Sequence, residues 1–337
     1  MRRCSKSYNK AFKTDSQRSA FSLRSSIANR RSHLNRALCF KEKKLKEVDL
    51  GKSLDREMSL WRYMSIDKFI DLLSNQKLFL TPLAYYQSSD PFEGFVPKVA
   101  FEATMKIFID QIEKAEAAGV EIEKLLLERV SSPTTEQLEA IEKMKAMSTA
   151  HRESLIPLNN KISKSTCVHC WYHSESESEA MWKLYSDSGK GIAIKTSVAA
   201  LVDSLNVCNQ DVPLRLGRVK YLDFLSNELT PKDCVIDGAT SPLLKRKEYE
   251  HENEVRLYSV PQLMTAERWE SYEPRPILVK VDVSSLIENI YISPYVGEPF
   301  TSSVRKICEL LGVPNEKVID SKLLENYEKM LAGFVKV

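Results

Sequence analysis

At 337 residues with 43% hydrophobic content, the chain carries enough apolar material to bury one large core or two ordinary ones. No run of about 18 apolar residues occurs, which excludes a spanning helix, and the N-terminus lacks the apolar stretch of a secretory signal, so a cytoplasmic protein is expected. The net charge of +3 conceals an asymmetry, and the seven scattered cysteines do not form the even framework of a disulfide-stapled domain and read as reduced thiols.

Residues 1–52 hold 15 Lys/Arg against 4 Asp/Glu. Sparse apolar residues without a sustained period make residues 1–55 a disordered or weakly helical extension. Three roles suit it: a nucleic-acid-binding arm, a targeting peptide, or solvated sequence before the domain. A single domain is then expected over residues 56–337. Leu60–Met64 suits a short strand, and Ser65 can cap a helix with apolar positions at Ile66, Phe69, Ile70 and Leu73. "QKLFLTP" reads as a second strand halted by Pro82, and "SSDPFEG" as a loop with an Asp-Pro turn.

Residues 99–160 read as a helical insertion, broken at Gly119 and Pro133, whose i, i+4 Glu/Lys pairs mark a solvated face. Beyond it come a strand "STCVHCWYH", a helix "SEAMWKLYSD", a strand "GIAIKTS" and a helix "VAALVDSL". A strand "LRLGRVKYL", a helix near "SPLLKRKEYEHE", strands "EVRLYSV", "PILVKVDV" and "NIYISPYV", and a final helix "TSSVRKICELLG" complete the chain. Strands bunched between short helices, without regular strand–helix alternation, predict an α+β fold rather than a doubly wound sheet. No P-loop or dinucleotide-binding glycine fingerprint is present.

Four stretches carry chemistry-bearing residues. Cys167, His169, Cys170 and His173 are zinc-ligand types, but on a strand His169 and His173 stand about 13 Å apart, too far for one tetrahedral ion, so no metal site is expected. In "SESESEA", Ser176 or Ser178 suits a helix cap. Gly189 and Gly191 around Lys190 suit a tight turn better than a phosphate cradle. In "LLKRKEYEHENEVRLYSV", four alternate glutamates run into an apolar strand: the plain reading is a solvated charge run, the functional one a desolvated carboxylate. Strand alternation puts Glu254, Arg256 and Tyr258 on one face and Val255, Leu257 and Ser259 on the other, so Glu254 looks away from the aliphatic core. Met181, Trp182 and Tyr185 share one side of their helix, and Trp182 is expected in the core.

The segments "WRYMSIDKFIDLLSNQKLFLTPLAYYQSSDPFEG", "CWYHSESESEAMWKLYSDSGKGIAIKTS", "KRKEYEHENEVRLYS" and "YISPYVGEPFTSSVRKICELLGV", in this order, resemble the largely uncharacterised prokaryotic domain of unknown function 2971 family over about residues 60–325. A more distant likeness is to ADP-ribosyltransferases. It implies a split mixed or antiparallel sheet with flanking helices, NAD as substrate, and a defence or toxin role. Arg62, Ser174 and Glu252 or Glu254 follow the chain order of that fold's Arg, Ser and Glu, while the middle strand departs from the Ser-Thr-Ser run of one class. The likeness assigns catalysis to Glu254 and Glu252, with Glu254 foremost, and NAD binding to Arg62, Tyr63, Ser174, Trp182 and Tyr185. The alternative is a non-enzymatic module that binds nucleic acid or a partner through residues 1–52.

Overall fold

A computed structural model describes residues 47–262 and 271–332. The predicted basic arm therefore lies almost wholly outside the described residues. The described part of the first 55 residues is not an appendage: β1 (Asp49–Leu50) pairs in parallel with the strand Arg215–Arg218, and Val48 and Leu54 enter the core. The domain thus begins before residue 56.

The predicted α+β class holds. The large sheet runs β1, β6 (Arg215–Arg218), β9 (Glu254–Ser259), β4 (Cys167–His173), β2 (Ser59–Ser65), β5 (Gly191–Ser197), β11 (Asn289–Ile292) and β12 (Val318–Asp320). It is antiparallel except for β1·β6 and β11·β12. β3 (Lys77–Pro82) joins through β4 and carries β10 (Ile277–Lys280) outside it, while β7 (Lys220–Leu222) and β8 (Leu244–Arg246) form a separate parallel pair.

α1 (Ile66–Asn75) and α5 (Val198–Asn206) cover one face, burying Phe69, Leu72, Leu201 and Leu205 against Leu60, Ile192, Ile194, Val255 and Leu257. The opposite face holds a smaller cluster of Trp61, Tyr63 and Ala193 under α4 (Glu179–Tyr185). α6 (Val283–Leu286), α7 (Phe300–Leu310) and α8 (Tyr327–Ala332) follow later in the chain.

The insertion is a hairpin of α2 (Lys98–Arg129) and α3 (Thr135–Ser165), placed between β3 and β4. Its break lies after Arg129, where Thr134 and Gln137 form a capping box. Gly119 does not break α2. It is buried against the facing helix, where a Cβ would stand 2.7 Å from the terminal methyl of Met144. The helix expected near residues 241–252 is absent. That stretch instead forms 3-10 turns at Ser241–Leu243 and Lys247–Glu252 around β8, because pairing with β7 outweighs the propensity of a segment without an apolar stripe.

Candidate functional site

The sheet splits beside β4. β2 pairs with β4 only at Leu60↔His173 and Trp61↔Tyr172, then continues along β5 through Ser65, while the other end of β4 is taken by β3 at Thr81↔Val168 and Pro82↔Cys167. Between these contacts the two strands diverge, and His169, Cys170 and Trp171 keep a strand neighbour on the β9 side alone. A cleft of about 980 Å³ opens there, at the upper end of the roughly 300–1,000 Å³ usual for ligand sites. Arg62 reaches across it: its Nη1 donates to the Cys170 carbonyl at 2.5 Å, satisfying an acceptor that the divergence leaves without a strand partner.

The register Tyr172↔Glu254 and Cys170↔Arg256 sets these four side chains on one face of the sheet, with His169, Trp171, Val255 and Leu257 on the other. On the first face lies a buried charge network. Arg256, 1% exposed, grips Glu93 through Nη1 and Nη2 at 2.8 and 3.3 Å and donates from Nε to Glu254 at 2.5 Å. Lys245 Nζ donates to Glu254 at 2.8 Å and to Glu252, and stands 3.5 Å from Glu93. The Tyr185 hydroxyl donates to Glu252 Oε1 at 2.8 Å. Three carboxylates thus face two cations.

That imbalance separates the two neighbouring glutamates. Burial pushes the Glu254 carboxyl up, but Arg256 and Lys245 outweigh it and hold the group well below its ordinary range. Glu252 is pushed up to about 7 by burial, by its hydrogen bond with Glu254 and by the repulsion of that charge, against the pull of Lys245. Lys245 stays cationic because the carboxylates overcome its desolvation. Across the split, burial and then Arg62 hold His169 well below its usual value, so its imidazole is neutral.

The sequence candidates divide. Arg62, Tyr63, Tyr185, Glu252 and Glu254 all line this one cleft. Ser174 does not: it sits past the end of β4, its carbonyl accepting from Trp61 Nε1 at 2.8 Å and its hydroxyl from the Ser176 amide. Trp182 does not line the cleft either. It is fully buried, edge-on to Tyr63 with ring centroids 4.9 Å apart, because its turn of α4 faces the sheet while Tyr185, three residues on, faces the opening. Ser178 is the α4 cap, accepting from the Met181 amide. Among the described residues no cluster of metal-ligand type occurs.

Asp90, Glu93 and Lys245 are site residues that the sequence reading passed over. Asp90 is held by Arg246 at 2.7 Å and only 3% exposed, yet its Oδ2 has no partner among the described residues. The "SSDPFEG" loop offered the residue types, but nothing local showed that it folds under β9. Three of the four buried side-chain polar atoms without a partner among the described residues, in Asp90, His169 and Trp171, belong to residues that line the cleft. Unpaired buried polar groups of this kind are costly, so each is a candidate to be satisfied by water or a ligand in the cleft. No family model, curated protein or solved structure matches this chain.

Proposed function

We propose that the split-sheet cleft is the active site of an NAD-cleaving enzyme, an ADP-ribosyltransferase or NAD glycohydrolase, acting in the cytoplasm in a defence or toxin role. We read the chain, with it, as a member of the uncharacterised family that its sequence blocks resemble. The observation that carries this reading is the placement of a glutamate poised near neutral pH, Glu252, in a cleft that also holds Arg62 and tyrosine walls.

In this reading Arg62 meets the pyrophosphate, for which a guanidinium fork is suited, and Tyr185 stacks on a flat ring. Nicotinamide leaves ribose C1′ as a neutral base through an oxocarbenium-like state that a nearby carboxylate stabilises. A water or acceptor hydroxyl forms the new C1′–O bond, and Glu252 takes its proton. Glu252 thereby replaces Glu254 as the foremost candidate, because Arg256 and Lys245 together hold Glu254 ionised, whereas Glu252 pairs with Lys245 only and is pushed up to about 7. Incubation with NAD should release nicotinamide, and Glu252→Gln should slow release by ~10² or more while the protein stays folded. Equal NAD consumption by parent and variant, or none by the parent, would overturn the assignment.

A further inference from the structure

We propose that the cleft recognises a planar organic cation, and that binding exchanges the proton of Glu252 for that cation so that the buried charge set stays balanced. Among the described residues, Glu93, Glu252 and Glu254 pair with two cations: Lys245 meets all three, Arg256 meets Glu93 and Glu254, and all five residues are buried. With Glu252 ionised this set carries one uncompensated negative charge. Such a charge, in a desolvated site, is met either by a proton or by a positive ligand.

A second observation points the same way. Asp90 lines the same cleft, is buried, and uses Oδ1 for Arg246 and the Phe92 amide, leaving Oδ2 as an acceptor with no donor among the described residues. The walls add Tyr85, Tyr172 and the half-exposed Tyr185, whose rings favour a cation over their faces. The aromatic surface argues for a flat organic cation rather than a metal ion, in keeping with the absence of a metal-type cluster among the described residues. A pyridinium, the charged ring that NAD carries, fits this chemistry. That choice of cation rests on the reading above, whereas the demand for positive charge does not.

The groups facing Glu252 define the coupling. Tyr185 from α4, Lys245 from β8 and Glu254 from β9 meet Glu252 directly, Arg256 from β9 and Glu93 from the loop after β3 are linked to it through Lys245 and Glu254, and His251 and Tyr249 lie on its own turn. Binding converts the carboxylic acid into a carboxylate, the proton passes to solvent, and the cation takes its place.

The test is calorimetric titration of the whole protein with N-methylnicotinamide cation and with neutral nicotinamide, from pH 6 to pH 8. With Glu252 titrating at about 7, the ionised fraction rises about tenfold over that interval. The cation should bind about tenfold more tightly at pH 8 than at pH 6, outrank nicotinamide at pH 8, and release a proton that buffers of different ionisation enthalpy reveal. Nicotinamide should show no such slope, and Glu252→Gln should flatten that of the cation. A flat pH response in the parent, equal affinity for the two probes at pH 8, or no binding of either would overturn the proposal. The parent's own slope decides the matter even if the variant fails to fold. Neither probe contains ribose, so pH-coupled binding without NAD turnover would remove the enzymatic reading alone, and NAD turnover without cation preference would remove this one alone.

Discussion

Two glutamates a single residue apart in sequence, Glu252 and Glu254, sit in environments that push their titrations in opposite directions, the pattern by which one fold supplies both an ionised and a protonated carboxyl. For Glu252 the folded value near 7 lies above the ordinary 4.5, so between these values the folded state holds a proton that the unfolded chain has lost. Its contribution to stability is therefore present below pH 4.5 and gone by pH 7, whereas that of Glu254 is present above its ordinary value and fades as pH falls. We predict that parent stability measured against Glu252→Gln by urea unfolding declines by about 1–2 kcal/mol from pH 4.5 to pH 7.5, a discounted share of the full shift because the carboxyl lies at the cleft wall. A constant difference across that range would mean Glu252 ionises freely. The inward face of Glu254 was legible in the sequence, since strand alternation alone sets it. Glu252 was legible as a residue type but not as the carboxyl held near neutral pH, because its direction is set by a 3-10 turn ending at Asn253 with φ of 35°. Glu93 was not legible as a site residue at all: it meets Arg256 across 163 positions of chain, and no local pattern encodes that contact.

Elements bounded by unambiguous punctuation were read nearly to the residue. β3 ends at Pro82, and β5 occupies Gly191–Ser197, the stretch "GIAIKTS", with Ser197 capping α5 as its side chain accepts from the Ala200 amide. Elements decided by pairing with distant partners were missed: β1, β8 and β12 are two or three residues long and exist because β6, β7 and β11 lie beside them. The short helix α4 is held to the sheet by Trp182, which is fully buried, packs on Tyr63 and donates from Nε1 to Glu177 at 3.1 Å. Trp182→Ala should cost ~3–5 kcal/mol, the range for large aromatic truncations in a core. It should also weaken cation binding, since Tyr185 on the same helix would lose its placement beside Glu252. A thermal midpoint unchanged from the parent would show that α4 is held by other contacts.

At the scale of the molecule, the helical hairpin packs on the split-sheet part at its base. Each helix, at 32 and 31 residues and about 1.5 Å per residue, reaches about 48 Å. Near the base, Ala100 packs with Leu222, Phe224, Cys234 and Leu244, and Ser163 and Ser165 are buried where the chain returns to β4. Farther out the partners lie across the hairpin: Gly119 against Met144, Glu123 with Lys145, and Glu116 with Arg152. The two ion pairs are half-exposed and worth only ~0–1 kcal/mol each, so the outer hairpin adds little to the sheet. These pairs also fix the register of the two helices, which brings Ile112 and Leu155 to the same level. Joining those two residues through a short Gly/Ser turn removes the outer section and leaves every base contact in place. Loop-closure entropy changes only slowly with length, about 0.6 kcal/mol per doubling, so the shortened chain should keep its cooperative unfolding and its thermal midpoint within a few degrees. It should also bind the N-methylnicotinamide cation with the parent's affinity, because every residue lining the cleft lies outside 112–155. Loss of cooperative unfolding would show that the outer hairpin supports the sheet, and loss of binding by a folded variant would tie it to the cleft.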